Sequence, residues 1–179
     1  MTMENNIELV LATPDLKQII EEYGNQFDHP THIPGASGLN TFPTIDDWFE
    51  KLRLYQNEAT LPSEEFVPSY QYLWLDTQSQ KVIGMLSIRL KLNAHLLDYG
   101  GHIGYSIAPS EREKGHATQM LKAALKQAKA FSINNVLITC LDDNLGSAKV
   151  IENNQGILED KRFYEAEQKW MRRYWIANN

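Results

Sequence analysis

The run "IGYSIAPSEREKGHATQMLKAALKQA", Ile103 to Ala128, changes character halfway, and nothing else in the chain restricts the fold as much. It opens as a strand and passes through a charged turn holding one glycine. Ala117, Met120, Leu121, Ala124, Leu125 and Ala128 then recur at helical spacing, on one face of a long helix. The apolar run "NNVLITCL" follows and reads as a buried strand. A strand, a helix and a strand in that order predict a right-handed crossover with the two strands parallel.

The flanking segments fill out the pattern. "IELVL", Ile7 to Leu11, reads as an opening strand. "TPDLKQIIEEYG" has the grammar of a short helix, with Thr13 as N-cap, Pro14 in the first turn and Gly24 as stop. Asn25 to Pro43, with three prolines and two histidines, predicts a long loop of the kind that often carries function. Thr44 to Asn57 reads as a second helix, with Thr44 and Asp47 spaced as a capping box. Two strands, Ser69 to Leu75 and Val82 to Leu90, are joined by a polar turn, and a further strand covers His102 to Ile107. After the central unit come a short helix in "NLGSAKVIENN" and final strands, the tail "QKWMRRYWIAN" finishing the sheet or offering a dimer edge. The expected fold class is mixed α/β: one domain over residues 1–179, with a central, mostly antiparallel twisted sheet, a parallel strand–helix–strand unit and helices on both faces.

Composition removes several function classes. A net charge of −6 and a pI near 5.4 argue against a general nucleic-acid binder, which needs a basic face. No window approaches the length of apolar sequence that a membrane span requires. "MTMENNIELVLATPDL" lacks the basic start and apolar stretch of a signal peptide. The single cysteine, Cys140, precludes an internal disulfide and fits a reducing cytoplasm. His29 and His32 have no cysteine or acidic partners at ligand spacing, so no metal site is expected.

The charged turn raises a chemical question. The first turn of a helix leaves four N–H groups without partners and adds partial positive charge, a natural seat for phosphate. Arg112 and Lys114 add charge there, and Gly115 leaves room for a ligand to approach the backbone. A plain solvated turn is the alternative. The turn is neither a Walker loop nor a G-x-G-x-x-G fingerprint.

"REKGHA", Arg112 to Ala117, resembles the R/Q-x-x-G-x-G/A signature of the GNAT superfamily of acyl-CoA-dependent N-acyltransferases. Its setting matches as well, between an antiparallel strand and a long helix, with "DDNLGSAKVIENNQGI" similar to the family's next conserved-spacing region. The run "GGHIGYSIAPSEREKGHATQML" resembles a bacterial subgroup of acetyltransferases of unassigned substrate. The resemblance is close over about Val67 to Ile157. It implies an enzyme that moves an acetyl group from acetyl-CoA to a primary amine of a small molecule or peptide by direct attack. It also implies that the turn of Arg112, Glu113, Lys114, Gly115, His116, Ala117 and Thr118 holds the pyrophosphate of coenzyme A. Ile107 and Ala108 would offer backbone groups to the pantetheine arm and the oxyanion. Asn144 and Ser147 would touch the same ligand, or else cap their helix. A non-catalytic acyl-CoA-binding module of the same fold is the rival.

The proton-transfer residues are less plain. The family's tyrosine, seven residues after the helix-opening Asn144, is replaced by Ile151, and the slot of its usual glutamate holds Gly101. A lysine-like acceptor costs roughly 4–5 kcal/mol to present neutral at pH 7, so a base or an electropositive pocket must help. His102 is the nearest substitute base, its alternative an ordinary strand residue, and Tyr105 and Tyr164 are candidate acids or packing residues. Cys140 reads as a small buried hydrophobe rather than a nucleophile. Arg89, in "LSIRLKLN", interrupts an apolar strand and could bind a substrate carboxylate or pair with Asp98. The loop from Asn25 to Pro43 would shape the acceptor pocket.

Overall fold

A computed structural model describes residues 6–179. Strand β1 (Ile7–Leu11) leads through a 3-10 turn (Pro14–Leu16) into α1 (Lys17–Gly24). Thr13 is extended and its side chain bonds Asp15 rather than capping the helix, because the 3-10 turn intervenes. Helix α2 (Ile45–Tyr55) begins with the expected capping box. The N–H of Asp47 donates to Thr44 Oγ1, and the N–H of Thr44 donates back to the Asp47 carboxylate. Strands β2 (Ser69–Asp76), β3 (Lys81–Arg89) and β4 (Ile103–Ile107) follow, then α3 (His116–Ala130), β5 (Asn135–Leu141), α4 (Leu145–Asn153), β6 (Ile157–Tyr164) and β7 (Lys169–Ala177).

The strands form two antiparallel sheets, ordered β1-β2-β3-β4 and β5-β7-β6. One continuous central sheet was expected, with β4 and β5 paired in parallel across α3. That ladder is not made. Among the described residues the backbone bond between them lies just before β4, where the His102 N–H donates to the Leu137 carbonyl at 2.7 Å. β7 lies between β5 and β6, so the terminal strand is internal to its sheet, and the edges are β6 and β5.

Both faces of the first sheet are covered. Along β2, Tyr72 and Trp74 face one core and Leu73 and Leu75 the other, as a two-residue period requires. The first core packs α3 and α4, through Met120, Leu121, Ala124 and Ile151, against β3, β4, β5 and β7. Gly84 lets α3 come close: a side chain there would meet the Met120 sulfur at 3.0 Å and the Ser106 carbonyl at 2.9 Å. The second core packs α1 and α2, through Ile20, Tyr23, Trp48 and Leu52, against the opposite face. The long loop before α2 belongs to this core, with Ile33, Ala36 and Leu39 buried.

Among the described residues no helix is long and apolar enough to cross a membrane.

Candidate active site at the junction of the sheets

The junction is built by two neighbours. Gly101 has φ +68° and ψ −176°, a region essentially confined to glycine, and a Cβ there would lie 2.6 Å from the Leu137 carbonyl oxygen. His102 follows, buried, and its Nδ1 accepts the Leu137 N–H at 2.9 Å. That side chain takes the donor a parallel ladder would have used, and the two sheets diverge from this point.

Beyond the junction β4 has an unpaired side. The Ala108 N–H bonds Ile83 and the His102 carbonyl accepts from Arg89, which sets the phase of the β3–β4 ladder. Alternation then turns the N–H groups of Tyr105 and Ile107 away from β3, and neither finds an acceptor among the described residues.

The strand runs through a 3-10 turn (Pro109–Glu111) into the charged turn. Gly115 has φ +82°, with nothing within 4 Å of where a Cβ would stand. It occupies the N-cap of α3 without any capping side chain. The N–H groups of Gly115, His116, Ala117 and Thr118 have no acceptor among the described residues. By contrast α2 and α4 are capped by Thr44 and Asn144. Glu111 gathers the local cations, at 2.7 Å from Lys81 and 3.2 Å from Lys114, and the Lys81 bond leads in holding its carboxyl below the usual range. Arg112 points elsewhere. Its Nε donates to the Ile107 carbonyl at 3.3 Å and its guanidinium lies over Phe27.

The arrangement is a furrow between diverging strands that ends at an uncapped helix start. The acetyltransferase (GNAT) domain model matches residues 15–155, most of the chain. The chain belongs to the GNAT acetyltransferase family.

Solved structures with this GNAT fold include the ribosomal-protein-S5-alanine acetyltransferase of Vibrio fischeri. It is 17% identical with a TM-score of 0.71, covering 97% of this chain and 94% of that one. A ribosomal-protein-serine acetyltransferase structure from Vibrio cholerae, described as putative in its own name, is 17% identical with a TM-score of 0.66, covering 98% and 95%. A chimera of the spermidine N-acetyltransferase SpeG from Vibrio cholerae and hSSAT is 13% identical with a TM-score of 0.66, covering 96% of each chain. No curated protein sequence matches significantly. At these identities the likeness concerns the fold.

Within the GNAT frame the sequence candidates separate. His102 is a structural pin: with Nδ1 accepting from Leu137, the neutral ring carries its hydrogen on Nε2 and keeps no free acceptor. Burial, helped by the Arg89 charge, pushes its pKa down to about 4. Its placement therefore speaks against a general base. Gly101 cannot carry a side chain without meeting β5, so the junction leaves no room for an acid at that slot.

Tyr105 reaches α4, where its hydroxyl lies 2.6 Å from Ser147 Oγ, and burial pushes its pKa up to about 12. Ser147 stands one turn before Ile151, so this hydroxyl pair occupies the neighbourhood of the absent tyrosine. Asn144 caps α4, accepting the Ser147 N–H at 3.1 Å. Tyr164 is in a separate cluster, its ring 4.5 Å from Tyr99 and 5.7 Å from His95. Burial pushes the Cys140 thiol up to about 11, which suits a packing role.

Arg89 does not pair with Asp98, which is bonded by Arg162 instead. Its NH1 donates to the Gly100 and Gly101 carbonyls, each at 3.0 Å. Sequence reasoning missed two contributors. Gly35 of the long loop packs backbone to backbone on β4, where a side chain would lie 2.4 Å from Tyr105 Cα. Lys51 of α2 turns inward and donates to the Ser37 carbonyl at 2.8 Å. No sequence signal marked either, because both depend on how the loop folds back onto the sheet.

Proposed function

We propose that the protein transfers an acetyl group from acetyl-CoA to a primary amine of a small molecule or peptide by direct attack. The observation that carries the reading is the run of four unpartnered N–H groups at Gly115–Thr118, beside the unpaired edge of β4. That pairing of features suits a ligand with phosphates at one end and amides along its arm. Family membership supports acetyl transfer as the chemistry.

The thioester supplies an acyl carbon open to an amine. The amine nitrogen bonds that carbon, the carbon–sulfur bond breaks, and the proton released from nitrogen ends on sulfur. The N–H of Ile107 is directed to the furrow and suits the acyl oxygen as negative charge builds on it. Tyr105 stays protonated at neutral pH and is suited to donate a hydrogen bond to the departing sulfur, with Ser147 orienting it. A tyrosine at about 12 is a poor full proton donor to a thiolate, so water completes the transfer. No side-chain base is required if the acceptor end is electropositive, since neighbouring cations favour the neutral amine. Arg89 and Lys51 lie on that face. The buried, unreactive Cys140 fits a cytoplasmic setting and a mechanism without a covalent enzyme intermediate.

The test is calorimetric titration with acetyl-CoA of the wild type, Gly115→Ala and Gly115→Glu. Micromolar binding by the wild type, weakened modestly by the alanine strain and abolished by the glutamate charge, is the expected result. A folded wild type that does not bind overturns the reading. The rival, a non-catalytic acyl-CoA module, draws on Gly101 and the fully buried Ile151 in the usual catalytic slots. It predicts the same binding with no thiol release in the presence of amines.

A further inference from the structure

Two cations, Arg89 and Lys51, sit against the same short loop segment, Gly35–Ser37, on the α1–α2 face of the first sheet. Arg89 commits only NH1, to two carbonyls; Nε and NH2 donate to nothing among the described residues. Among the described residues no fully buried side-chain nitrogen lacks a partner, so these free N–H groups border accessible space. NH2 lies at 3.5 Å from where a side chain on Gly104 would begin, next to the backbone of Gly35 and one residue from the unpaired edge of β4 at Tyr105.

Lys51 approaches from α2. It is held by the Ser37 carbonyl and the rings of Phe42 and Tyr55; the open cavity of about 500 Å³ on its α2 side is lined by Asp47 and Glu50 and not by Arg89. Burial, and then the charge of Arg89, lowers its pKa.

The acids nearby are already engaged. Glu50 binds Arg53 through both oxygens, Asp47 closes the capping box of α2, Glu58 pairs with Lys91, and Asp98 pairs with Arg162. Desolvating a guanidinium is costly unless an anion answers it. A guanidinium with Nε and NH2 free presents the parallel donor pair that a carboxylate accepts.

We infer that the acceptor is an amine that also bears a carboxylate, such as an amino acid or short peptide, with Arg89 binding the carboxylate and Lys51 adding positive charge from across the Gly35–Ser37 loop. This rests on the acetyl-transfer reading. It separates the protein from enzymes for polyamines, whose positive charges the same pair repels. Two cations against one carboxylate leave net positive charge, which still favours the neutral amine.

The test has two readouts. Acetyl transfer is measured by thiol release for amino acids and dipeptides, for the same molecules as carboxamides, and for spermidine. The free carboxylates should exceed their amides in kcat/KM by roughly 10- to 100-fold, the range for a charge-assisted contact. Thermal shift with N-acetylated products needs no turnover, and only the free acids should stabilise. Because Arg89 also supports the Gly100 and Gly101 carbonyls, Arg89→Ala is paired with Lys51→Met. Lys51→Met should raise KM for the carboxylate acceptors about tenfold while acetyl-CoA affinity stays at the wild-type value. Acetyl-CoA binding with amides or spermidine equal to or better than the acids, and no stabilisation by the acids, overturns the inference and leaves acetyl transfer standing. Failure to bind acetyl-CoA overturns both.

Discussion

The Leu137 N–H donates to Nδ1 of His102 at 2.9 Å, so a side chain occupies the place of a strand where the two sheets meet. The bond requires a neutral ring, and that makes the junction sensitive to acid. Unfolded, His102 titrates near 6.5; folded, it titrates near 4. Between those values the unfolded chain holds the extra proton. Stability contributed by the neutral ring is therefore complete above about pH 6.5 and is lost as pH falls towards 4, amounting to something on the order of 3 kcal/mol. His102→Asn, whose side-chain oxygen can accept the same N–H, is expected to flatten this slope in urea titrations between pH 4 and 7. An unchanged slope would show that other groups govern it.

Gly101→Ala is expected to destabilise by at least about 2 kcal/mol, from positive φ and the 2.6 Å approach to the Leu137 carbonyl. For a chain of this size that corresponds to a fall in Tm of roughly 5 °C or more. A Tm within a degree of the wild type would mean that the junction can open to admit a side chain.

Tyr105→Phe removes the hydroxyl 2.6 Å from Ser147 Oγ. The expected loss of stability is about 1 kcal/mol. Activity should separate differently: kcat falls roughly tenfold or more, the order of one lost hydrogen bond in a transition state, while acetyl-CoA affinity holds. Equal loss in both would make the hydroxyl pair a binding contact rather than a catalytic one.

Arg173 is almost fully buried; it bonds Glu159 and Asp160 and donates to the Leu97 carbonyl at 2.9 Å. Leu97 lies in the π-helical turn (Leu96–Gly100) whose end carries the carbonyls held by Arg89. Arg173→Met should cost about 2–3 kcal/mol, below the full penalty for a broken buried pair because both carboxylates can reach water. It should also raise KM for the acceptor, measured by steady-state thiol release. An acceptor KM equal to the wild-type value would uncouple the turn from Arg89.

Much of this architecture was legible in local sequence. Thr44 and Asp47 announced the start of α2, and the six apolar positions of α3 announced its buried face, because both signals lie within a few residues. The division of the sheet was not legible. It depends on a backbone angle at Gly101 and on a ring nitrogen of His102 competing with strand pairing, neither of which leaves a periodic trace. The surroundings of Arg89 were hidden for another reason. Its expected partner, Asp98, is claimed by Arg162, 64 residues further on. The turn at Gly115 lay between these cases: its charge and glycine were visible, but the inward lean of Arg112 towards Ile107 was not.

Gly35 rests its backbone on Gly104 and Tyr105, and the loop around it is tied down on every side. Gln71 holds the Gly35 carbonyl, Trp48 the Ala36 carbonyl and Lys51 the Ser37 carbonyl. The loop around Gly35 and strand β4 are thus bound into one packed unit. An acceptor docking against this loop, as proposed above, would meet a surface already packed in place. Its capture would then be governed by diffusion and by the pull of the pocket's charge, so the encounter rate should respond to ionic strength as well as to solvent viscosity.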